Sequence, residues 1–287
     1  TQNAIQFRIR DMAGLTGTSP VYIVAIDATP PTNPATVEST SHTSGVWSDS
    51  YTVVVTWTDG IDATSGPRYY SYDLTTSSTS LPDETPDTSG NTGTAYATAD
   101  GQNWYFHLRT QDYAGNWATD AVHIGPFWID RTNPSNPSTL WSTSHTTAVW
   151  SNDPTVDVQW TAGDDGDGSG IAGYWYSWSH GPQDDPTTYN TTGTSATSGS
   201  LSTDDDWYFN LRTRDNVGRR AADTLHLGPF YIDRVDPYAW LVSPGHEVNT
   251  STFTVAWTGG DADSGLANFD VQTSDNGTTW DDWQMGT

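Results

Sequence analysis

The chain has 287 residues and a formal net charge of −25, and its ten basic residues are all Arg. A surface of that sign repels phosphate backbones and anionic lipid, so nucleic acid is excluded as a partner and cations are favoured. With no Cys and no Lys, disulfides, thiolate metal sites and Lys–Asn isopeptide crosslinks are excluded as well. Aliphatic residues are sparse, yet 15 Trp, 14 Tyr and 7 Phe supply large apolar surfaces, so small aromatic cores are expected. The 26 Gly and 16 Pro, with abundant Ser and Thr, fit short strands joined by turns. No apolar run reaches the ~20 residues that span a bilayer, so no membrane insertion is expected. Residue 1 is Thr and no signal peptide is present, which reads as a mature fragment or a window from a longer protein.

Taken in chain order, the first alternating run is Ile5, Phe7, Ile9, followed by Val21-Tyr22-Ile23-Val24-Ala25-Ile26-Asp27. The Pro-rich stretch Thr29-Pro30-Pro31-Thr32-Asn33-Pro34 is expected to be an extended, semi-rigid spacer. Three runs with a period of two then predict half-buried strands: Val53, Val55, Trp57; Tyr70, Tyr72, Leu74; and Trp104, Phe106, Leu108. The closing element Gly125-Pro126-Phe127-Trp128-Ile129-Asp130-Arg131 is expected at a sheet edge, because Pro cannot donate to a ladder.

A second spacer, Thr132-Asn133-Pro134-Ser135-Asn136-Pro137, leads into the same series again. Its runs are Val156, Val158, Trp160; Tyr174, Tyr176, Trp178; and Trp207, Phe209, Leu211, closed by Gly228-Pro229-Phe230-Tyr231-Ile232-Asp233-Arg234. The step from Trp104 to Trp207 is 103 residues, and so is the step from Asp27 to Asp130. After the Pro-poorer junction Val235-Asp236-Pro237 come only Phe253, Val255, Trp257 and Phe269, Val271, Thr273. The run Ile5, Phe7, Ile9 is read as the counterpart of Trp104, Phe106, Leu108. A fixed step of this kind marks a tandem array.

Several aromatic-faced strands per ~100 residues make a two-sheet sandwich, so the fold class is all-β, a tandem β-sandwich array. The Trp-ending second strand, the turn from Asp167 to Ile171, the Phe-x-Leu-Arg strand followed by Asp-Tyr-Ala-Gly-Asn at Asp112 to Asn116, and the Asp-x-Thr-x-Pro linkers are distinctive. On these residues the chain resembles the tandem immunoglobulin-like and fibronectin type III-like domains of bacterial surface proteins. The resemblance covers essentially the whole chain and implies an extracellular or cell-surface location. It guides fold more than function, since such modules act as spacers, adhesins and enzyme appendages alike.

The step divides the chain into a C-terminal half-module at residues 1–27, full domains at 28–131 and 132–234, and an N-terminal half-module at 235–287. Running residue 287 into residue 1 reads as one uninterrupted module. The expectation is that neighbouring copies complete each other end to end, covalently or by strand exchange; the bland alternative is that the boundaries at residues 1 and 287 are arbitrary. A head-to-tail contact of that kind does not close and therefore propagates.

Acidic loops are the candidate metal sites. After the Trp-ending strand lie Asp59 and Asp62, then Asp164, Asp165 and Asp167, then Asp261 and Asp263. In such a sandwich that loop shares an end with the loop holding Asp112, Asp215 or Asp11 and with the incoming Asp27, Asp130 or Asp233. Ca²⁺ takes 6–8 oxygens, so it is the cofactor expected at these junctions. The loop from Asp164 to Gly170 has the highest carboxylate density and is the leading candidate. The bland reading is that these Asp residues close turns by bonding their own backbone.

Other motifs carry less. The segment Thr273 to Trp280 matches the Asp-box pattern, a folded hairpin in sialidase-like propellers with no catalytic role, and a structural turn is expected. His42, His145 and His246 occupy equivalent positions, as do His123 and His226; packing or surface roles are expected, and no catalytic residues are assigned. Asn190, Asn249 and Asn276 head glycosylation sequons. The leading functional reading is a structural repeat of an extracellular filament or surface stalk, not an enzyme. The second is an adhesin or carbohydrate-binding array using Trp117, Trp141 or Trp175, with glycans as partners. The third is a non-catalytic appendage of a secreted enzyme.

Overall fold

The computed structural model of the chain describes residues 2–182, 185–243, 247 and 249–284. His246, Thr1, residues 285–287 and the side chain of Asn190 lie outside the described residues. Among the described residues there are strands and turns and no helix. The strands are β1 (Gln2–Ile5), β2 (Arg8–Arg10), β3 (Thr16–Thr18), β4 (Tyr22–Ala25), β5 (Val37–Ser39), β6 (Trp47–Ser48), β7 (Thr52–Trp57), β8 (Pro67–Thr75), β9 (Thr92–Tyr96), β10 (Gly101–Asp112) and β11 (Val122–Ile129). They continue with β12 (Leu140–Ser142), β13 (Trp150–Ser151), β14 (Asp157–Trp160), β15 (Ile171–His180), β16 (Tyr189–Thr191), β17 (Ser195–Thr197), β18 (Asp204–Asp215) and β19 (Leu225–Ile232). The last are β20 (Tyr238–Ser243), β21 (Ala256–Gly260), β22 (Val271–Thr273) and β23 (Asp281–Gln284).

The chain forms two compact units. One comprises residues 1–133 with the loops 165–170 and 215–219; the other comprises 134–164, 171–214 and 220–287. In the first unit a three-stranded sheet, β5-β7-β9, faces a four-stranded sheet, β6-β11-β10-β8. Alternation fixes which side chains meet: Val53, Val55 and Trp57 of β7 bury against Phe106 and Leu108 of β10 and Phe127 and Ile129 of β11. Trp57 stacks its edge on Tyr70, with ring centroids 5.3 Å apart. In the second unit the sheets are β12-β14-β17 and β13-β19-β18-β15-β16, around Val156, Val158, Trp160, Phe209, Leu211, Phe230 and Ile232. The architecture is the all-β sandwich that the alternating runs predict.

One expectation is corrected. The Gly-Pro strand is not an edge, because β6 pairs in parallel with β11 at Trp128 and Ile129, beyond the proline. The ladder to β10 shifts register between Trp104 and Phe106, opposite Gly125-Pro126, and this bulge absorbs the missing donor. Gly125 is required there: its φ is +135° and a Cβ would stand 2.7 Å from the Trp104 carbonyl oxygen. β19 repeats the arrangement at Gly228-Pro229, with β13 pairing at Tyr231 and Ile232.

Nor are the Pro-rich stretches free spacers at their downstream ends. Pro31 and Pro34 are buried, and Asn33 donates to the Asp120 carbonyl at 2.8 Å while accepting from the Thr110 N–H at 2.9 Å. Asn136 makes the same pair of bonds, to the Asp223 carbonyl and from the Thr213 N–H. The core-side histidines are structural: His42 bonds Ser41 and the Ser50 carbonyl, and His145 bonds Ser144 and the Asp153 carbonyl.

The segments outside the two sandwiches form separate antiparallel pairs: β1 with β4, β2 with β3, β20 with β21, and β22 with β23. The turn between β22 and β23 is closed by Ser274 and Asn276, whose side-chain oxygens accept backbone N–H groups of Gly277, Thr278 and Thr279. The Asn276 amide also donates to Thr279 at 2.9 Å, so this sequon nitrogen is engaged in the turn.

Candidate carboxylate site

Each complete sandwich receives three aspartates from three parts of the chain. Asp130 follows β11, Asp165 lies in the turn after β14, and Asp215 ends β18; their carboxylates offer oxygens within 4.8 Å of one another, and all three residues are buried. Asp27, Asp62 and Asp112 form the same trio one step of 103 residues earlier. Local hydrogen bonding places each group. Asp62 Oδ1 accepts the N–H groups of Ser65 and Gly66 at 2.7 and 2.8 Å, and Asp165 Oδ2 accepts that of Gly170 at 2.8 Å. Asp112 takes the Asn116 N–H at 2.8 Å, while Asp215 takes those of Gly218 and Arg219, both at 2.7 Å. Asp130 Oδ2 accepts the Ser169 N–H at 2.8 Å.

These bonds use one oxygen of each carboxylate in the second trio and leave the other. Asp130 Oδ1, Asp165 Oδ1 and Asp215 Oδ2 are all buried without a hydrogen-bond partner, and so is Asp27 Oδ2 in the first trio. Buried polar oxygens are rarely left so, and three anionic ones converging are costly unless a cation meets them. Burial, then the charges of Asp130, Asp215 and Asp100, push the Asp165 carboxyl up to about 6, against the bond from Gly170. Burial likewise raises Asp215. In the first trio the Gly66 N–H holds Asp62 below the usual carboxylate range. Gly168 lets the backbone approach, since a Cβ there would stand 2.6 Å from Asp165 Oδ2 and 3.0 Å from Asp130 Cγ.

An all-oxygen set of this spacing suits a hard divalent ion. Ligand oxygens at about 2.3–2.6 Å on opposite sides of Ca²⁺ stand roughly 5 Å apart, and the absence of nitrogen or sulfur disfavours softer metals. The trio is thus chemically able to hold Ca²⁺ with the neighbouring carbonyls.

The expected ligands are only partly united. Asp59 is exposed and accepts the Asn91 amide at 2.8 Å, and Asp164 and Asp167 are exposed, so the dense Asp164–Gly170 loop contributes Asp165 alone. The physical reason is that the turn curls its backbone N–H groups around one carboxylate and turns the others out to water. At the third junction Asp233 accepts from Ser264 and Asp261 from Gly265, so both cradle one turn; Asp263 donates its own N–H to Asp261. Among the described residues no third carboxylate joins them as in the two trios.

One further group was not anticipated: His180 bonds Asp206, with Asp204 Oδ2 3.5 Å away, all partly or fully exposed. Its counterparts in the first sandwich are Thr76, Gly101 and Asn103, so the repeat carries no signal for it. Of the rings considered for glycans, Trp117 is buried beneath Arg109 and Trp175 lies under Arg220, which leaves Trp141 exposed.

No family model matches the chain, and no curated protein matches it. Among solved structures, it is similar to the FN1–FN3 domains of chicken CNTN1 at 12% identity, over 77% of this chain and 76% of that one, with a TM-score of 0.29.

Proposed function

We propose that the chain is a structural repeat of an extracellular filament or surface stalk, built of tandem β-sandwiches whose entry points are stiffened by Ca²⁺. The recurrence of one buried carboxylate trio at the repeat step, with its unpartnered oxygens, carries the reading. Each trio ties the strand or linker that precedes a sandwich in sequence to two loops of that sandwich. A cation there converts a Pro-containing connection into a fixed one, which is what a load-bearing or length-setting rod requires. An extracellular location is part of this reading, and it is supported by a carboxylate set that suits Ca²⁺ where calcium is abundant.

The test is calorimetry of the full chain with Ca²⁺, Mg²⁺ and chelator. Ca²⁺ at a hundred-fold excess over its Kd stabilises by about 2.7 kcal/mol, and the expected result is a rise in Tm reversed by chelation, reduced in Asp165→Asn and lost when Asp62→Asn is added to it. An unfolding profile indifferent to Ca²⁺ refutes the reading.

A further inference from the structure

We propose that the two carboxylate trios take different ions: the trio of Asp130, Asp165 and Asp215 is a Ca²⁺ site that excludes Mg²⁺, and the trio of Asp27, Asp62 and Asp112 holds a part-hydrated ion and accepts either. The proposal rests on the calcium reading and divides its two sites by selectivity.

Local differences in the chain produce the division. The turn of the second sandwich is one residue longer, running from Asp165 to Gly170 where the first runs from Asp62 to Gly66. The added residue carries the turn onto the incoming chain: the Ser169 N–H bonds Asp130 Oδ2 at 2.8 Å, whereas the matching Ser65 N–H bonds Asp62 of its own turn at 2.7 Å. Asn216 then ties this turn to the loop after β18, its amide donating to the Ser169 and Gly170 carbonyls at 2.8 and 3.0 Å. Its counterpart in the first sandwich, Tyr113, has no amide to give and is 63% exposed. Asp130 and Asp215 are in consequence fully buried and Asp165 is 9% exposed, while Asp27 and Asp62 are half-buried.

The fourth residue after the last aspartate of each trio sets how many oxygens are free. Asn116 donates its backbone N–H to Asp112 Oδ1 and its amide to Asp112 Oδ2, each at 2.8 Å, so both oxygens are occupied. Arg219 stands in the same place, but its guanidinium reaches Asn133 Oδ1 at 3.4 Å and leaves Asp215 Oδ2 open. The second trio therefore holds three buried oxygens without partners, one from each aspartate, against Asp27 Oδ2 alone in the first.

Ion chemistry turns these differences into selectivity. Mg²⁺ dehydrates reluctantly and keeps several waters, whereas Ca²⁺ accepts irregular sets of 6–8 oxygens. Carboxylates sealed from solvent leave no room for the Mg²⁺ shell, and their unpartnered oxygens need direct contact with the ion. The half-open trio admits water beside the ion, so Mg²⁺ competes there. One site is then filled whenever Ca²⁺ is present, and the other follows the balance of the two ions.

The experiment uses Tb³⁺, excited through tryptophan, as a luminescent stand-in for Ca²⁺ on the full chain, Asp62→Asn, Asp165→Asn and the double variant, which gives the background from other acidic groups. Lifetimes in H₂O and D₂O count the waters on each bound ion. Wild type is expected to show two lifetimes. Asp62→Asn should keep the long one, with about one water or none, and Asp165→Asn the short one, with about three or more. In Ca²⁺ titrations, Mg²⁺ at about a hundred-fold excess should leave the affinity of Asp62→Asn within about twofold and weaken that of Asp165→Asn about tenfold or more. Asn keeps an acceptor for the turn's N–H groups in both variants, and the wild-type lifetimes decide the matter should either variant misfold. A single lifetime in wild type, or equal water counts and equal Mg²⁺ competition in the two variants, overturns the proposal. If the Ca²⁺-dependent rise in Tm persists beside that result, the calcium reading stands and only the division fails; a chain that binds neither ion removes both.

Discussion

Acidification should act on the first unit through two large shifts of opposite sign, at Asp165 and His107, with the rise at Asp215 adding to that of Asp165, and substitutions should separate them. Asp165 has its folded-state pKa raised from 3.8 to about 6. The stability it contributes is complete below 3.8 and is lost as pH rises through about 6. His107 is fully buried, shares a hydrogen bond with His123 and has its pKa lowered from 6.5 to about 4, by burial first and then by His123. Its contribution is present above 6.5 and is lost as pH falls through about 4. At 1.36 kcal/mol per pH unit, each shift amounts to roughly 3 kcal/mol. The two windows nearly coincide, so calcium-free wild type should change little between about pH 7 and pH 4.5, where single variants should not. Asp165→Asn keeps an acceptor for the Gly170 N–H but removes the titration, leaving the histidine term: the unit should lose roughly 3 kcal/mol on acidification. His107→Asn copies Asn210 of the second sandwich, whose side chain bonds His226 at 2.6 Å, and should reverse the slope. Urea denaturation with chelator at both pH values, followed by tryptophan fluorescence, measures the differences. Parallel pH profiles for wild type and Asp165→Asn would refute the assignment of a strained carboxylate trio.

The remaining expectations concern packing and the linkers. Phe209→Ala removes a fully buried ring that packs against Trp160, Tyr176 and Trp178, and should destabilise the second sandwich by about 3–5 kcal/mol in urea melts. Phe7→Ala, at an exposed site, should leave the same melt within about 0.5 kcal/mol of wild type. Asn136→Ala removes three hydrogen bonds and strands the Thr213 N–H, so a loss of about 2–3 kcal/mol is expected, with faster amide exchange at Thr213.

Much of the fold is legible in the residues because alternation and the repeat step are local, one-dimensional signals. Val53, Val55 and Trp57 point the same way in any strand, and a second copy 103 residues on carries the same faces. The convergence of the aspartates was legible at the level of loops, since three acidic segments recur in step. Which oxygens meet was not, because Asp164, Asp165 and Asp167 look alike until the turn's N–H groups select one of them.

The place of the Gly-Pro strand depended on β6 pairing beyond a bulge, a non-local choice that no property of Pro126 reveals. The register of Ile5 and Phe7 was likewise hidden, because a shift of two residues preserves alternation; the Asp11 hairpin, bonded to Leu15 as Asp112 is to Asn116, aligns them with Phe106 and Leu108. The amino-acid sequence by itself determined the strands, their inward faces and the period of the array, all set by side-chain chemistry a few residues apart. Only the tertiary structure decided which carboxylates are buried together and which strands lie inside a sheet, because those depend on contacts between segments far apart in the chain.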